Sequence, residues 1–261
     1  MGKLANAISI NKLSYGYTKK NVLENISVQI PKGLFTVIMG QNGSGKSTLL
    51  KLISGLLHPS HGDIYIDDKM LRTLSNRKKA HLIGFLGQQH RAIFPFTVEE
   101  VVMTGRAAFI GIVPKLSDKI MVEESIEKVG ISHLKKRFYT DLSGGEQQLV
   151  MIARLLAQQP KILILDEPIS HLDFNNQLRI IQLIKQLANE GITVVATLHD
   201  PNNAFLFGDF FLFVHEKKVI TDEINEPWNN PLIHKIFHDE IELIPYKEKF
   251  FIFPKICSPD C

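Results

Sequence analysis

Long hydrophobic runs are missing from this 261-residue chain. No stretch approaches the ~18 to 20 consecutive apolar residues that a membrane span requires. The runs present are short, four residues in Ile162-Leu-Ile-Leu165, and suit buried strands. Any membrane attachment is therefore expected to come through a partner. The opening residues Met1-Gly2-Lys3-Leu4-Ala5-Asn6 lack the apolar segment of a secretory leader. Asn6 also stands where N-myristoylation needs Ser or Thr. Cysteine is scarce, with only Cys257 and Cys261 near the end of the chain. No histidine lies near them in sequence, so they make at most half of a structural zinc site. A frayed tail with free thiols is the simpler reading, and such usage suits a reducing compartment. A strong charge imbalance is absent too: the net charge of +3 gives no ground for nucleic-acid binding. The runs Arg77-Lys78-Lys79 and Lys135-Lys136-Arg137 read as solvated faces.

What is present suits one large globular unit, with 44% hydrophobic residues for a core and 22% charged residues for the surface. The first third reads as strands: Ile8 to Tyr17, Val22 to Ile30, then a buried strand from Leu34 to Met39. A glycine-rich stretch from Gly40 to Gly45 leads into a helix over Lys46 to Gly55. Gly62 to Asp67 alternates like a half-exposed strand. From about Gln88 to Gln159 the texture turns helical, with segments at Glu99 to Arg106, Ser117 to Val129 and Gly144 to Gln158. Strand character returns at Ile162 to Leu165 and Ile192 to Leu198. Between them Leu178, Ile181, Ile184 and Leu187 mark one face of a helix over Phe174 to Glu190. Phe210 to Val214 and Lys218 to Thr221 suggest a closing hairpin, and beyond residue 222 the pattern organises nothing. The order predicts an α/β core over residues 1–87 and 160–222, interrupted by a helical insertion over 88–159. Residues 223–261 form an extension with no assigned role. Alternating strands and helices favour a parallel sheet with its ligand at the carboxyl ends of the strands.

Three motifs carry chemistry. Gly40-Gln41-Asn42-Gly43-Ser44-Gly45-Lys46-Ser47, followed by Thr48, fits the phosphate-loop pattern. Its glycines let consecutive N–H groups turn inward around an anion at a helix N-terminus. Lys46 brings a charge to the outer phosphates, and the Ser47 hydroxyl is a magnesium ligand. Asp166 and Glu167 close an apolar strand. Since adjacent side chains on a strand point opposite ways, Asp166 is expected to face magnesium and Glu167 the γ-phosphate and its attacking water. Leu142-Ser143-Gly144-Gly145-Glu146 starts a helix with a Ser143–Glu146 capping box. Two glycines in the first turn are costly there, at about 1 kcal/mol each relative to alanine, unless the backbone must approach an anion.

Phosphate loop, Leu-Ser-Gly-Gly-Glu and Asp166-Glu167-Pro168, in this order, resemble the ATP-binding cassettes of ABC transporters, over roughly residues 7 to 220. The resemblance implies a phosphate-loop NTPase fold: a mixed RecA-like sheet with an N-terminal antiparallel β part and an inserted helical subdomain. It implies a homodimer in which Ser143, Gly144, Gly145 and Glu146 of one subunit, with Asp173 nearby, close over ATP held by the other. Tyr17 matches the aromatic that stacks on adenine, with Tyr15 a competitor. Gln88 matches the glutamine that reaches the metal and the attacking water, with Gln89 its rival by one position. His199 matches the histidine that hydrogen-bonds the γ-phosphate. His171, in Ser170-His-Leu-Asp173, replaces a residue that is commonly small in the family. Glu167, His199, Gln88 and Lys46 would then carry catalysis, while Ser47, Gln88 and Asp166 would hold Mg²⁺.

The segment Phe94-Pro-Phe-Thr-Val98 through Arg106 is similar to importers of iron chelates, haem, cobalamin and molybdate or tungstate. That resemblance implies two membrane-spanning permease subunits, a solute-binding protein acting through them, and a place on the cytoplasmic face of the membrane. A soluble ABC ATPase, such as one of iron–sulfur cluster assembly, is the competing class.

Overall fold

The computed structural model describes residues 5–17, 20–88, 95–111, 113–222, 231–236, 241–246 and 249–255. β1 (Asn6–Gly16) and β2 (Asn21–Pro31) pair antiparallel, with Ile8 opposite Ile30 and Leu13 opposite Ile26. After β3 (Phe35–Met39) and α1 (Lys46–Ile53), β4 (His61–Ile66) returns to pair with β1, and the two-residue β5 (Lys69–Met70) borders it. The result is a four-stranded antiparallel sheet in the order β2-β1-β4-β5.

The chain continues through α2 (Asn76–Leu82), β6 (Ile83–Leu86), α3 (Val98–Met103), α4 (Leu116–Val129) and α5 (Gly144–Leu156). Then follow β7 (Ile162–Asp166), α6 (Phe174–Asn189), β8 (Thr193–Thr197), α7 (Pro201–Phe207), β9 (Phe210–His215) and β10 (Lys218–Asp222). A second sheet runs β10-β9-β3-β8-β7-β6. It is parallel from β9 to β6, and only β10 lies antiparallel, on β9. Every residue of β3, β7 and β8 is buried, as expected of parallel strands covered on both faces.

Strand alternation sends these residues into two separate apolar clusters. Val37, Leu163, Leu165, Val194 and Ala196 join residues of α3 to α6. Ile38, Ile162, Ile164 and Val195 join Leu49 and Leu52 of α1 with Ile10 and Leu23 of the antiparallel sheet. The expected helix face of α6 is shifted in one detail. Ile180, Ile181, Leu183, Ile184 and Leu187 form its buried stripe, while Leu178 lies exposed at the margin.

Sequence periodicity did not reveal α2, β6 or α7, which span seven, four and seven residues. Such lengths are too short for a period to register. The chain beyond residue 222 is organised as well. α8 (Pro231–Ile236) precedes an antiparallel hairpin of β11 (Ile241–Tyr246) and β12 (Lys249–Pro254). Ile233, Ile236, Ile241 and Ile252 are buried in the same cluster as Leu198 and Phe205. Cys257 and Cys261 lie outside the described residues, as does Gln89.

A buried ion pair joins three helical segments. Arg106 Nε donates to Asp118 Oδ1 at 3.0 Å, at the start of α4, and Nη1 donates to the carbonyl of Ala157 at 2.8 Å, at the end of α5. The guanidinium also lies over the Phe109 ring, 4.2 Å from its centroid. The backbone N–H of Lys115, followed by Arg106, holds the Asp118 carboxyl below its ordinary value of 3.8. A depressed folded pKa stabilises the fold above the ordinary value, and that contribution is lost as pH falls through the folded one. Asp118→Asn should therefore lower Tm at neutral pH, and its deficit against the parent should shrink as pH drops below about 4. Thermal melts across pH check both halves of this expectation.

Candidate active site

The carboxyl ends of β3, β7 and β8 meet beside the loop that joins β3 to α1. At its first residue the loop has φ +151°, and a Cβ on Gly40 would lie 2.4 Å from the carbonyl oxygen of Val214 in β9. Only glycine lets the chain leave β3 so close to β9. Lys46 folds back over the loop, donating to the carbonyls of Gly40 at 2.8 Å and Gln41 at 2.9 Å. Burial pulls its pKa below the ordinary lysine value, against the opposing pull of the Glu167 and Asp166 charges.

Asp166, the last residue of β7, is buried with 4% exposure. Its Oδ1 accepts from Ser47 Oγ at 3.1 Å and from Thr197 Oγ1 at 2.8 Å. A carboxylate removed from water needs such partners. Glu167 departs from the expected strand alternation: β7 has ended, and Glu167 takes a left-handed conformation with φ 54°. That conformation is unfavourable for a residue with a side chain and collects at functional sites. It is held by the Glu167 N–H, which donates to Thr197 Oγ1 at 2.8 Å. A backbone reversal, and not the pleat of a strand, separates the two acids.

Three groups converge on the Glu167 carboxylate. Gln88 Nε2 lies 2.7 Å from Oε2, Ser170 Oγ 3.1 Å from Oε2, and His199 Nε2 2.7 Å from Oε1. Lys46, Ser47, Thr48, Gln88, Glu167 and His199 line a cavity of about 430 Å³, together with Gly43, Gly45, Asn42 and Tyr17. Tyr17 is 58% exposed at its mouth, where its hydroxyl pairs with Thr48 Oγ1 at 3.2 Å. Tyr15 packs instead against the second apolar cluster and meets Tyr17 edge to face. Gly40 and Gln41 line an adjoining cavity of about 340 Å³ with His199. Ser44 belongs to a third, of about 800 Å³, which shares Tyr17, Asn42 and Gly43 with the first.

Ser143, Gly144, Gly145, Glu146 and Asp173 line none of these three cavities. Ser143 caps α5 in the expected box: Ser143 N–H donates to Glu146 Oε2 at 2.8 Å, and Glu146 N–H returns to Ser143 Oγ at 3.4 Å. The Ser143 N–H holds the Glu146 carboxyl below its ordinary value. Asp173 caps α6 by accepting from Asn176 N–H at 3.0 Å, and that bond lowers its pKa too. The two starts are neighbours: a Cβ on Gly145 would meet the Asn176 side chain at 2.3 Å. Gly145 thus has an intrachain reason for lacking a side chain, which sequence alone did not supply.

Thr197 and Ser170 were missed as site residues. The signal for Thr197 was present, as the polar end of the apolar run Thr193-Val-Val-Ala-Thr197 beside the acid-bearing strand.

A phosphate loop at the carboxyl end of a parallel sheet, facing an acid pair at the end of β7, one strand removed from β3, defines a phosphate-loop nucleoside triphosphatase. Comparison with known proteins narrows the class, since a family model described as ABC transporter matches residues 23–170. The petrobactin import ATP-binding protein FpuC of Bacillus anthracis is 34% identical over 255 residues, 96% of this chain and 94% of that protein. The ferric enterobactin transport ATP-binding protein FepC of Escherichia coli K12 is 36% identical over 212 residues, 80% of this chain and 78% of that protein. Among solved structures, an inward-facing ABC transporter assigned to the metal-chelate type superposes with a TM-score of 0.82. It is 30% identical and covers 97% of this chain and 98% of its own. The chain belongs to the ABC transporter family, as an ATP-binding subunit. Such subunits are ATPases coupled to transport. Among the described residues no helix is long and apolar enough to cross a membrane.

Thr197→Val keeps the shape of the side chain and removes both of its hydrogen bonds. It should destabilise the fold by about 1–3 kcal/mol, the usual cost of leaving buried polar groups unpaired. Denaturant titration of the purified chain checks this.

Proposed function

We propose that this chain powers an importer of iron chelates or haem, hydrolysing ATP with Glu167 as general base. The observation that carries the chemistry is the placement of the Glu167 carboxylate. It faces the cavity beside Lys46, within 2.7 Å of both Gln88 Nε2 and His199 Nε2. On this reading the N–H groups of Gly43 to Thr48 and the Lys46 ammonium hold the phosphates, and Tyr17 stacks on the adenine. Gln88 orients the attacking water, Glu167 takes its proton, and His199 donates to a γ-phosphate oxygen. Closure of a second copy over these groups would separate them from bulk water and strengthen each of these contacts.

The oxygen donors at Ser47 and Asp166, already 3.1 Å apart, fit Mg²⁺, which favours oxygen ligands and is commonly held by few protein groups plus substrate phosphates. Ser47, Asp166 and Gln88 would hold it, and its charge would offset that of the phosphates.

The working unit on this reading is a homodimer. Ser143 to Glu146 and Asp173 lie outside the cavity of their own loop, which supports their serving the nucleotide of a second copy. A two-fold axis gives two equivalent composite sites from one such contact. Residues 1–87 and 160–222 then form the nucleotide-binding core and 88–159 the helical insertion. Two permease subunits supply the membrane path, a solute-binding protein delivers cargo to them, and the dimer sits at the cytoplasmic face. The full-length match to a petrobactin import subunit and the match to a ferric enterobactin subunit support iron chelates as the cargo class.

Glu167→Gln retains shape and removes the base. ATP turnover should fall by ~10² to 10⁴-fold, the usual worth of a general base, with binding kept. Size exclusion with Mg-ATP should show the variant trapped as a dimer. A turnover near the parent's would place the base elsewhere. In cells, replacing the gene with the Glu167→Gln form should abolish accumulation of radiolabelled ferric siderophore or haem. Undiminished uptake of every iron chelate offered, with loss of iron–sulfur enzyme activity instead, would assign the chain to the soluble class.

A further inference from the structure

We propose that the C-terminal hairpin positions the His199 turn for hydrolysis, with the Asn202 side chain as the connection between them. The inference rests on the reading of His199 as a phosphate contact. His199 sits between the end of β8 at Thr197 and the start of α7 at Pro201. Its side chain is 46% exposed and touches Glu167. A ring so exposed depends on its backbone for its place.

That backbone is fixed from the C-terminal side. Asp200 caps α7 by accepting from Asn202 N–H at 2.9 Å, so residues 200–202 form one tight turn. The Asn202 amide then reaches β12. Its Nδ2 donates to the Ile252 carbonyl at 3.1 Å, and its Oδ1 accepts from the Ile252 N–H at 2.8 Å. One side chain therefore occupies both backbone groups of a strand residue, as a neighbouring strand would. The opposite edge of β12 pairs with β11, Ile252 facing Leu243. The hairpin itself is anchored, because the Ile252 and Ile241 side chains are buried in the main apolar cluster.

The same C-terminal region touches the phosphate loop. Gln41 Nε2 donates to the Ile236 carbonyl at 3.4 Å, at the end of α8. Gln41, Leu198, His199 and Ile236 line the cavity of about 340 Å³ between the loop and the histidine turn. The C-terminal elements thus contact both the phosphate loop and the turn that carries His199. They set the spacing of loop and histidine while supplying no group to the reaction. A misplacement of about 1 Å at a reacting centre costs on the order of 10²-fold in rate, so a lost clamp should appear in turnover before it appears in binding.

The test uses the full chain. Asn202→Ala should lower kcat by about tenfold while the Kd of a non-hydrolysable ATP analogue stays within about twofold, the signature of an interaction that matters only in the transition state. Asn202→Asp keeps the acceptor for Ile252 N–H but sets a carboxylate oxygen against its carbonyl, so its loss should be at least that of the alanine form. It also serves as the test variant if the alanine form does not fold. Asn203→Ala should match the parent. Hydrogen exchange provides a readout independent of turnover. In Asn202→Ala, amides at 250–254 and at 198–200 should both exchange faster. A kcat equal to the parent's, or faster exchange confined to 250–254, overturns the proposal. The parent's own turnover in the same assay reports separately on the ATPase reading.

Discussion

A single buried carboxylate joins the three segments on which the site is built. Asp166 ends β7, accepts from Ser47 just after the phosphate loop, and accepts from Thr197 at the end of β8. A charge at 4% exposure would be prohibitively costly without such partners. Because one partner stands at the start of α1, which follows β3, and the other at the end of β8, the carboxylate is satisfied when β3, β7 and β8 are in register. Their register is parallel, with Phe35 beside Val194 and Leu165 beside Ala196. Thr197 then does double duty, bonding the carboxylate and holding the N–H of Glu167 in its left-handed turn. The geometry of the whole site thus depends on one acid being correctly neutralised by hydrogen bonds.

Much of this was legible in the sequence, for identifiable reasons. β3, β7 and β8 are continuous apolar runs because both of their faces are covered, and such runs stand out in any sequence. The phosphate loop and the Ser143–Glu146 cap are local, with each residue acting on a neighbour a few positions away, so spacing alone reveals them. Of the two candidate aromatics, Tyr15 packs against the second apolar cluster and Tyr17 lines the cavity. Gln88 reaches Glu167, while Gln89 lies outside the described residues.

What was hidden depends on contacts between residues far apart in the chain. Asn202 and Ile252 meet across 50 positions, and Thr197 and Asp166 across 31. No spacing rule announces such pairs. α8 and the β11–β12 hairpin were illegible because each contributes only a few buried residues, and those are buried against a core made elsewhere. The left-handed turn at Glu167 was misjudged for a related reason. Strand alternation was extended one residue beyond the hydrogen bonds that sustain it. Gly145 shows the converse: the motif suggested an anion contact, while the steric reason for its missing side chain, the nearness of Asn176, was not legible.

The separation of the apolar interior into two clusters has a consequence for how such a chain can diverge. The cluster shared by α3 to α6 and the C-terminal hairpin takes one set of strand residues, and the cluster of α1 and the antiparallel sheet takes the alternate set. Substitutions in distant, unshared surroundings have nearly additive effects. Drift in the helical half is therefore tolerated without compensating change around α1. Variants on the helical side should then combine with variants around α1 almost additively, which leaves room to alter the helical surface without disturbing the strand ends.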